Sequence, residues 1–171
     1  MSVEGMDDLY EKLGYIAGID QKREIGNAIQ TVRSAAVLRC PVNDGELRQS
    51  IYAEVYQEND KVTGVCWTNK EYSPYVEFGT GPTGQENHKG ISPDYNPTYV
   101  QSPWWIHESD IDRRTAEKYH WFYIDTPDGR FYQCTGQPAQ PFMYPALRDN
   151  QDTILKDLKA GFAANIKKVT K

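Results

Sequence analysis

The amino-acid sequence predicts an α+β fold, in which a small, mostly antiparallel sheet packs with N-terminal and C-terminal helices and leaves one long irregular loop. Apolar residues recur at helical spacing near both ends of the chain. Two pairs of strand-like segments lie between them, and a segment rich in glycine and proline separates these pairs. A chain of 171 residues can bury a core of its own, so we predict one domain over residues 1–171.

Two helices are predicted at the N-terminus. The first covers residues 6–17, and the second starts after Asp20, whose carboxylate can accept the free amides of the first turn. Pro41 ends the second helix, because the residue before a proline is disfavoured in helical geometry. Each helix has one apolar stripe, formed by Leu9, Leu13 and Ile16 in the first and by Ile25, Ile29, Val32 and Ala36 in the second.

Two antiparallel hairpins are predicted next. The first follows the turn Asn43-Asp44-Gly45 and pairs a strand around Ile51 with residues 62–68. Its first strand has two dissimilar faces, one with Leu47, Ile51, Ala53 and Val55 and the other with Tyr52, Glu54 and Tyr56. The second hairpin pairs residues 121–125 with residues 130–135. Its turn, Thr126-Pro127-Asp128-Gly129, has proline and glycine at the corners that favour them.

Residues 79–103 differ from the rest of the chain. They contain four glycines and four prolines, and their only aliphatic residues are Ile91 and Val100. A structureless segment of this length in a compact domain is usually functional or disordered. We therefore expect it to be mobile in the free protein and to become ordered with a partner.

Order is expected to return at Trp104-Trp105-Ile106-His107, followed by a polar helix over residues 110–118. A long terminal helix is predicted to open near Pro145, where the missing amide of proline costs nothing. Its apolar stripe is formed by Ile154, Leu158, Phe162, Ile166 and Val169.

Composition and charge argue against several classes of protein. The net charge of −5, from 24 acidic and 19 basic residues, disfavours nucleic-acid binding by phosphate neutralisation. No apolar run reaches membrane-spanning length, and residues 1–5 have neither the basic start nor the apolar core of a signal peptide. Cys40, Cys66 and Cys134 are expected to be reduced thiols in a cytosol. Twelve tyrosines and four tryptophans are typical of surfaces that meet proteins, or alternatively of an aromatic-rich core.

Few residues suggest catalysis or metal binding. His107-Glu108-Ser109-Asp110-Ile111-Asp112 has one imidazole and three carboxylates, but its spacing fits neither a zinc helix nor a calcium loop. Cys134 and His120 could be a nucleophile and its base, although a small buried cysteine is the commoner case. Residues 79–84 lack the Gly-Lys-Ser/Thr ending of a phosphate-binding loop, and no helix is expected after them. We predict no metal, no cofactor and no catalytic residue.

Glu77 is an exception among the carboxylates, because it lies in an otherwise apolar stretch. We expect a structural role. Its predicted partners are the amides of Gly79-Thr80-Gly81, Arg48 or Arg148. The alternative is a small hydrolase that uses Glu77 together with His107 or His120.

Four signatures occur in order along the chain. They are Cys40-Pro41-Val42-Asn43-Asp44-Gly45-Glu46-Leu47-Arg48-Gln49-Ser50-Ile51, Tyr72-Ser73-Pro74-Tyr75-Val76-Glu77-Phe78-Gly79-Thr80, Gly136-Gln137-Pro138-Ala139-Gln140-Pro141-Phe142-Met143, and Tyr144-Pro145-Ala146-Leu147. Together they resemble the HK97 gene-product-ten family of tailed-bacteriophage morphogenesis proteins. The second and third signatures are specific when they occur together in this order. Residues 79–118 include a long stretch that matches nothing in the pattern, and we treat them as a variable loop insertion.

The resemblance implies a structural virion protein that acts in head-tail joining or tail completion, has no enzymatic activity and assembles into an oligomeric ring. The implied partners are other phage neck and tail proteins, with passage of DNA but no specific nucleic-acid binding and no membrane. The implied location is the virion, after assembly in the cytoplasm of the host bacterium. Residues 79–103 and the hairpin at 121–134 are the candidate contact regions. A further alternative is a regulatory binding protein of similar fold.

The resemblance also implies structural roles for the motif residues. Tyr75, Val76 and Phe78 are expected to plug the open side of a sheet. Phe142 is expected to anchor the last helix in the core, with its exit fixed by Pro141 and Pro145. The remaining motif positions are Gly45, Leu47, Ser50, Glu77, Gly79 and Thr80.

Overall fold

The computed structural model describes residues 21–59, 61–118 and 120–169. The predicted first helix, over 6–17, and the predicted cap Asp20 lie outside this range. The chain forms two compact units, one from residues 1–69 with 145–171 and one from residues 70–144. The single domain over 1–171 stays a prediction.

Seven α-helices and five strands occur in the described residues, which confirms the α+β class. In chain order they are α1 (Gln21–Arg39), α2 (Glu46–Gln49), β1 (Ile51–Glu58), β2 (Lys61–Thr68), α3 (Ser73–Phe78), α4 (Gly81–Glu86), β3 (Trp104–His107), α5 (Arg113–Lys118), β4 (Tyr123–Thr126), β5 (Gly129–Cys134), α6 (Met143–Arg148) and α7 (Gln151–Val169).

The first unit is built on α1 and the hairpin of β1 and β2. The two strands pair antiparallel from Ile51 opposite Thr68 to Glu58 opposite Lys61, as predicted. The stripe of α1 lies against this hairpin so closely that a Cβ on Gly64 would be 3.0 Å from side-chain atoms of Ile25 and Ile29. Glycine at this position therefore lets the helix approach the strand.

Leu47 departs from the predicted strand. It lies in the short helix α2, which starts after Gly45 with φ of 87°, and the strand begins at Ile51. Both Leu47 and Ile51 are buried. The turn is closed by Ser50, whose hydroxyl donates to the Leu47 carbonyl at 2.8 Å and lies 2.6 Å from Thr68 Oγ1.

The predicted terminal helix is two helices, α6 and α7. The break falls at Asp149 and Asn150, where the Asn150 side chain donates to the Ala146 carbonyl at 2.8 Å. An asparagine side chain that bonds to the preceding turn competes with continuation of the helix. In α7 the predicted stripe is half-buried at Ile154, Leu158 and Phe162 but exposed at Ile166, and the side chain of Val169 lies outside the described part.

The second unit contains an antiparallel sheet in the order β3-β5-β4. The predicted second hairpin is confirmed, with Thr126 opposite Gly129 and Tyr123 opposite Tyr132. The predicted polar helix is shorter than expected, since a 3-10 turn at Glu108–Asp110 precedes α5. Helix α5 borders one sheet face, because one cavity is lined by Arg113, Ala116 and Glu117 of α5 and by Tyr123, Arg130 and Tyr132 of the sheet.

Two expectations about the middle of the chain were wrong. Helix α4 lies inside the segment that was predicted to be structureless. It also overlaps the glycine-rich run at residues 79–84, next to which no helix was expected. The plug formed by Tyr75, Val76 and Phe78 is a helix, α3, with Tyr75 58% exposed. Residues two apart point to nearly opposite sides of a helix, so burial of Glu77 turns Tyr75 outward.

Ile51 is the position at which the first unit should be most sensitive to loss of packing. It is 0% exposed, so Ile51→Ala should lower the free energy of unfolding by about 2–5 kcal/mol. Leu38, 81% exposed, is the control, since Leu38→Ala should change stability by less than about 0.5 kcal/mol. Urea unfolding followed by circular dichroism measures both, and equal losses would contradict this packing.

Asp149 should make stability depend on acid pH. Its carboxylate accepts from Arg148 Nε at 2.7 Å and from Arg39 at 2.8 Å, and the hydrogen bond from Arg148 is the main cause that lowers the pKa of Asp149 below its ordinary 3.8. A lowered pKa gives a contribution that is present above the ordinary pKa and is lost as the pH falls below it. The stability difference between the wild type and Asp149→Asn should therefore be constant near neutral pH and shrink in acid. A pH-independent difference would contradict this ion pair.

Candidate functional site

The second and third signatures meet in the second unit. Residues 75–80 and 136–144 lie side by side, and we call this pairing the signature junction. Thr80 and Gln137 exchange backbone hydrogen bonds at 2.9 and 3.2 Å, and the Gln140 amide donates to the Val76 carbonyl at 2.8 Å. The Gln137 side chain also donates to the Tyr75 carbonyl at 2.9 Å. The two signatures are therefore one structural feature made from distant parts of the sequence.

Glu77 lies at the centre of the signature junction. It is 6% exposed, and its two carboxylate oxygens accept the backbone amides of Phe142 at 2.7 Å, Met143 at 3.0 Å and Tyr144 at 3.0 Å. These amides are at the start of α6, where backbone donors have no partner within the helix. The positive end of the helix dipole also favours a carboxylate there.

The predicted partners of Glu77 were wrong. The amides of Gly79 and Thr80 donate to the carbonyls of Tyr75 and Gln137. Arg48 donates to the Cys40 carbonyl, and Arg148 donates to Asp149. The role of Glu77 in this structure is to hold the first turn of α6.

Glycine is required where the two backbones touch. Gly79 has φ of 77°, and a Cβ on it would lie 2.7 Å from the Ala139 nitrogen and 2.8 Å from the Gln137 oxygen. Gly136, with φ of 94°, would place a Cβ against the Thr80 carbonyl. No side chain fits at these contacts, which explains why both signatures carry a glycine.

The remaining motif residues are divided between the two units. In the signature junction Phe142 is fully buried, Pro141 and Val76 are half-buried, and Phe78 stacks on Tyr95 with ring centres 4.3 Å apart. Pro145 is buried in the first turn of α6. Gly45, Leu47 and Ser50 of the first signature lie in the first unit, around α2.

Two of the candidate catalytic groups, His107 and Cys134, are in surroundings that do not favour catalysis. His107 Nδ1 lies 2.7 Å from Ser109 Oγ, and its Nε2 lies 3.0 Å from the Asp128 carbonyl. Burial raises the pKa of the Cys134 thiol, which disfavours the thiolate that a nucleophile needs. In the described ranges, no group of three His, Cys, Asp or Glu side chains could hold a metal ion. Among the helices of the same ranges, none has the length and apolar character to span a membrane.

Two exposed features lie in or beside the contact regions suggested by the sequence, residues 79–103 and the hairpin at 121–134, but their residues were not predicted. The first is the sheet face opposite α5, which carries Trp105, Phe122, Ile124 and Phe131 by strand register. The second is a groove beside α3 that contains Tyr75 and Tyr95. The alternation of apolar residues in the hairpin signals the first of them. The groove depends on contacts between α3 and a segment without periodicity, which carries no such signal.

Residues 7–79 match the model of the HK97-gp10-like family, described as "Bacteriophage HK97-gp10, putative tail-component". The resemblance inferred from the signatures is thereby confirmed over these residues, which include the first signature and all of the second except Thr80. No curated protein and no solved structure matches the chain.

Replacement of Glu77 should destabilise the signature junction. Glu77→Gln removes the charge and one acceptor oxygen, so we expect a loss of about 1–3 kcal/mol in the free energy of unfolding. Glu86→Gln, at an exposed position of α4, is the matched control and should change stability by less than about 0.5 kcal/mol. Urea unfolding measures both. Unchanged stability of Glu77→Gln would contradict the proposed hold on α6.

Proposed function

We propose that the protein is a structural virion component of a tailed phage, acting in head-tail joining or tail completion by assembly with other neck and tail proteins. The observation that carries the proposal is the match of residues 7–79 to the bacteriophage tail-component family. The third and fourth signatures support it from outside that match, since the Glu77 carboxylate of the matched part binds the amides of 142–144.

The sheet face opposite α5, which carries Trp105, Phe122, Ile124 and Phe131, supports an assembly role. We call it the open sheet face. Trp105 is 43% exposed and Phe122 is 63% exposed, with ring centres 6.2 Å apart. Ile124 is also exposed, and Phe131 lies beside it by register. Neighbouring aromatic side chains on a surface are typical of the centre of a protein–protein interface. Phe122, Ile124 and Phe131 of this face belong to the hairpin that the sequence suggested as a contact region.

Assembly into a ring requires two different patches on each subunit, because each copy meets its two neighbours with different surfaces. The open sheet face is our candidate for one patch, and residues 79–103 are our candidate for the other. The acidic net charge of −5 suits a passage through which DNA moves without adhering. The proposed location is the virion, after assembly in the host cytoplasm.

The alternative of a small hydrolase has less support. A general base needs a lone pair directed at its substrate, whereas the oxygens of Glu77 accept three backbone amides. The ring of His107 contacts Ser109 and Asp128. These contacts favour a structural role for both residues.

The assembly role predicts that the open sheet face is needed to join heads to tails. In a phage whose own copy of the gene is inactivated, Phe122→Ala supplied in trans should reduce joined particles at least about tenfold, since truncation of one buried aromatic anchor often costs that much binding. Leu38→Ala is the control. Electron microscopy counts joined particles against separate heads and tails.

Particle counts for Phe122→Ala equal to those of the wild type would exclude this face as the contact. Joined particles formed without the protein would exclude the function itself. Circular dichroism of the purified variants must first show that both are folded, so that a loss of joining reports on contact rather than on stability.

A further inference from the structure

A groove with aromatic walls lies in the second unit, beside α3. Its volume is about 180 Å³, which corresponds to about six water molecules at their share of liquid volume. The groove runs between α3 and the segment that contains residues 95–100. We call it the tyrosine groove, and its main walls are Pro74, Tyr75, Phe78, Tyr95, Pro97 and Tyr99.

The walls of the tyrosine groove are held by specific contacts. The rings of Phe78 and Tyr95 lie 4.3 Å apart. The Tyr99 hydroxyl donates to the Phe78 carbonyl at 2.8 Å, which ties the loop segment to the end of α3. On its other side Tyr99 stacks with His88. The groove is thus formed before any ligand binds, and a preformed site saves the cost of ordering its own residues.

The side chains of two wall residues are largely exposed to solvent. Tyr75 is 58% exposed and Tyr95 is 52% exposed. An exposed tyrosine offers an apolar ring face for contact and a hydroxyl for hydrogen bonding. The signature that contains Tyr75 therefore has two sides. The buried side, at Glu77, contributes to the fold, whereas the exposed side, at Tyr75, does not.

The lining of the groove limits the charge of its ligand. Every residue that lines it is uncharged. A charged group would lose hydration there without gaining an opposite charge, which is costly. Acidic or basic peptide side chains and the phosphates of nucleic acid are therefore disfavoured, and an uncharged ligand is favoured.

We propose that the tyrosine groove binds an extended, uncharged, proline-containing segment of another protein. Aromatic-lined grooves recognise such segments because proline rings pack on aromatic faces and the polyproline II helix loses little entropy on binding. Its carbonyls have no internal hydrogen bonds, so the hydroxyls of Tyr75 and Tyr95 can donate to them.

This inference goes beyond the proposed function and does not depend on it. The groove can bind a proline-containing segment whether or not the protein joins phage heads to tails. A negative result in the peptide-binding experiment would therefore not contradict the assembly role. A negative result in the phage experiment would not contradict binding in the groove.

The test uses the full chain and a fluorescently labelled oligoproline peptide of about ten residues, with a glycine–serine peptide of equal length as the uncharged control. Fluorescence anisotropy should show saturable binding of oligoproline and none of the glycine–serine peptide. Tyr75→Ala should weaken oligoproline binding at least about tenfold, because it removes one aromatic wall. Tyr56→Ala, at a comparably exposed tyrosine of β1 in the other unit, should leave it unchanged.

Val100 provides a second variant that does not depend on the tyrosines. It lines the groove and is 64% exposed, so Val100→Asp should fold and yet place a charge beside the bound segment. We expect it to weaken oligoproline binding several-fold, by the desolvation argument above. Urea unfolding of each variant shows whether a loss of binding reflects a loss of fold.

Several outcomes would overturn the proposal. These are the absence of oligoproline binding up to about 1 mM peptide, equal binding of the two peptides, and unchanged binding by both Tyr75→Ala and Val100→Asp. The mass of the free chain in solution tests a second copy as the ligand. If the wild type is an oligomer that Tyr75→Ala dissociates, and oligoproline does not compete, the groove binds another copy of this chain.

Discussion

The hydrogen bonds between the Glu77 carboxylate and the amides of residues 142–144 are the contact on which the second unit depends. A buried carboxylate is costly unless hydrogen-bond donors replace its water. The first amides of a helix are costly when buried without an acceptor. Each group satisfies the other here, so the helix start and the carboxylate are stable only together. The sequence separation of 65 residues between Glu77 and Phe142 makes this a tertiary contact that local preferences cannot supply.

Glycine occurs on both sides of the signature junction because two backbones approach closely beside Glu77. The backbone at 79–80 runs beside the backbone at 136–137, and these segments exchange hydrogen bonds at Thr80 and Gln137. The approach leaves no room for a side chain at Gly79 or Gly136. The buried carboxylate and the two glycines therefore lie in one junction of the structure, although they belong to separate motifs in the sequence.

Much of the fold could be predicted from the sequence where the pattern is periodic. The stripe of α1 and both hairpins follow from spacing and turn residues, which reflect local geometry. The predictions of secondary structure failed where a single residue determines the local conformation. Tyr75, Val76 and Phe78 were expected to plug the open side of a sheet, but they form the helix α3 with Pro74 in its first turn and Gly79 at its end. Leu47 fits the alternating pattern of β1 but lies in α2, because a helical turn starts after Gly45. The partners of Glu77 could not be predicted, since they depend on which distant backbone has free donors.

The family match ends at Gly79, within the signature junction. The matched residues include α1, the first hairpin and α3, and the tyrosine groove is formed by α3 with residues from after the match. The open sheet face lies wholly beyond it. Helix α3 therefore has two different sides, because Glu77 faces inward and Tyr75 faces outward. On the inner side, Glu77 of the matched part accepts the amides of residues 142–144, which lie outside the match. The two sides of α3 thus join the matched part of the chain to residues outside the match, through Glu77 in the signature junction and through Tyr75 in the tyrosine groove.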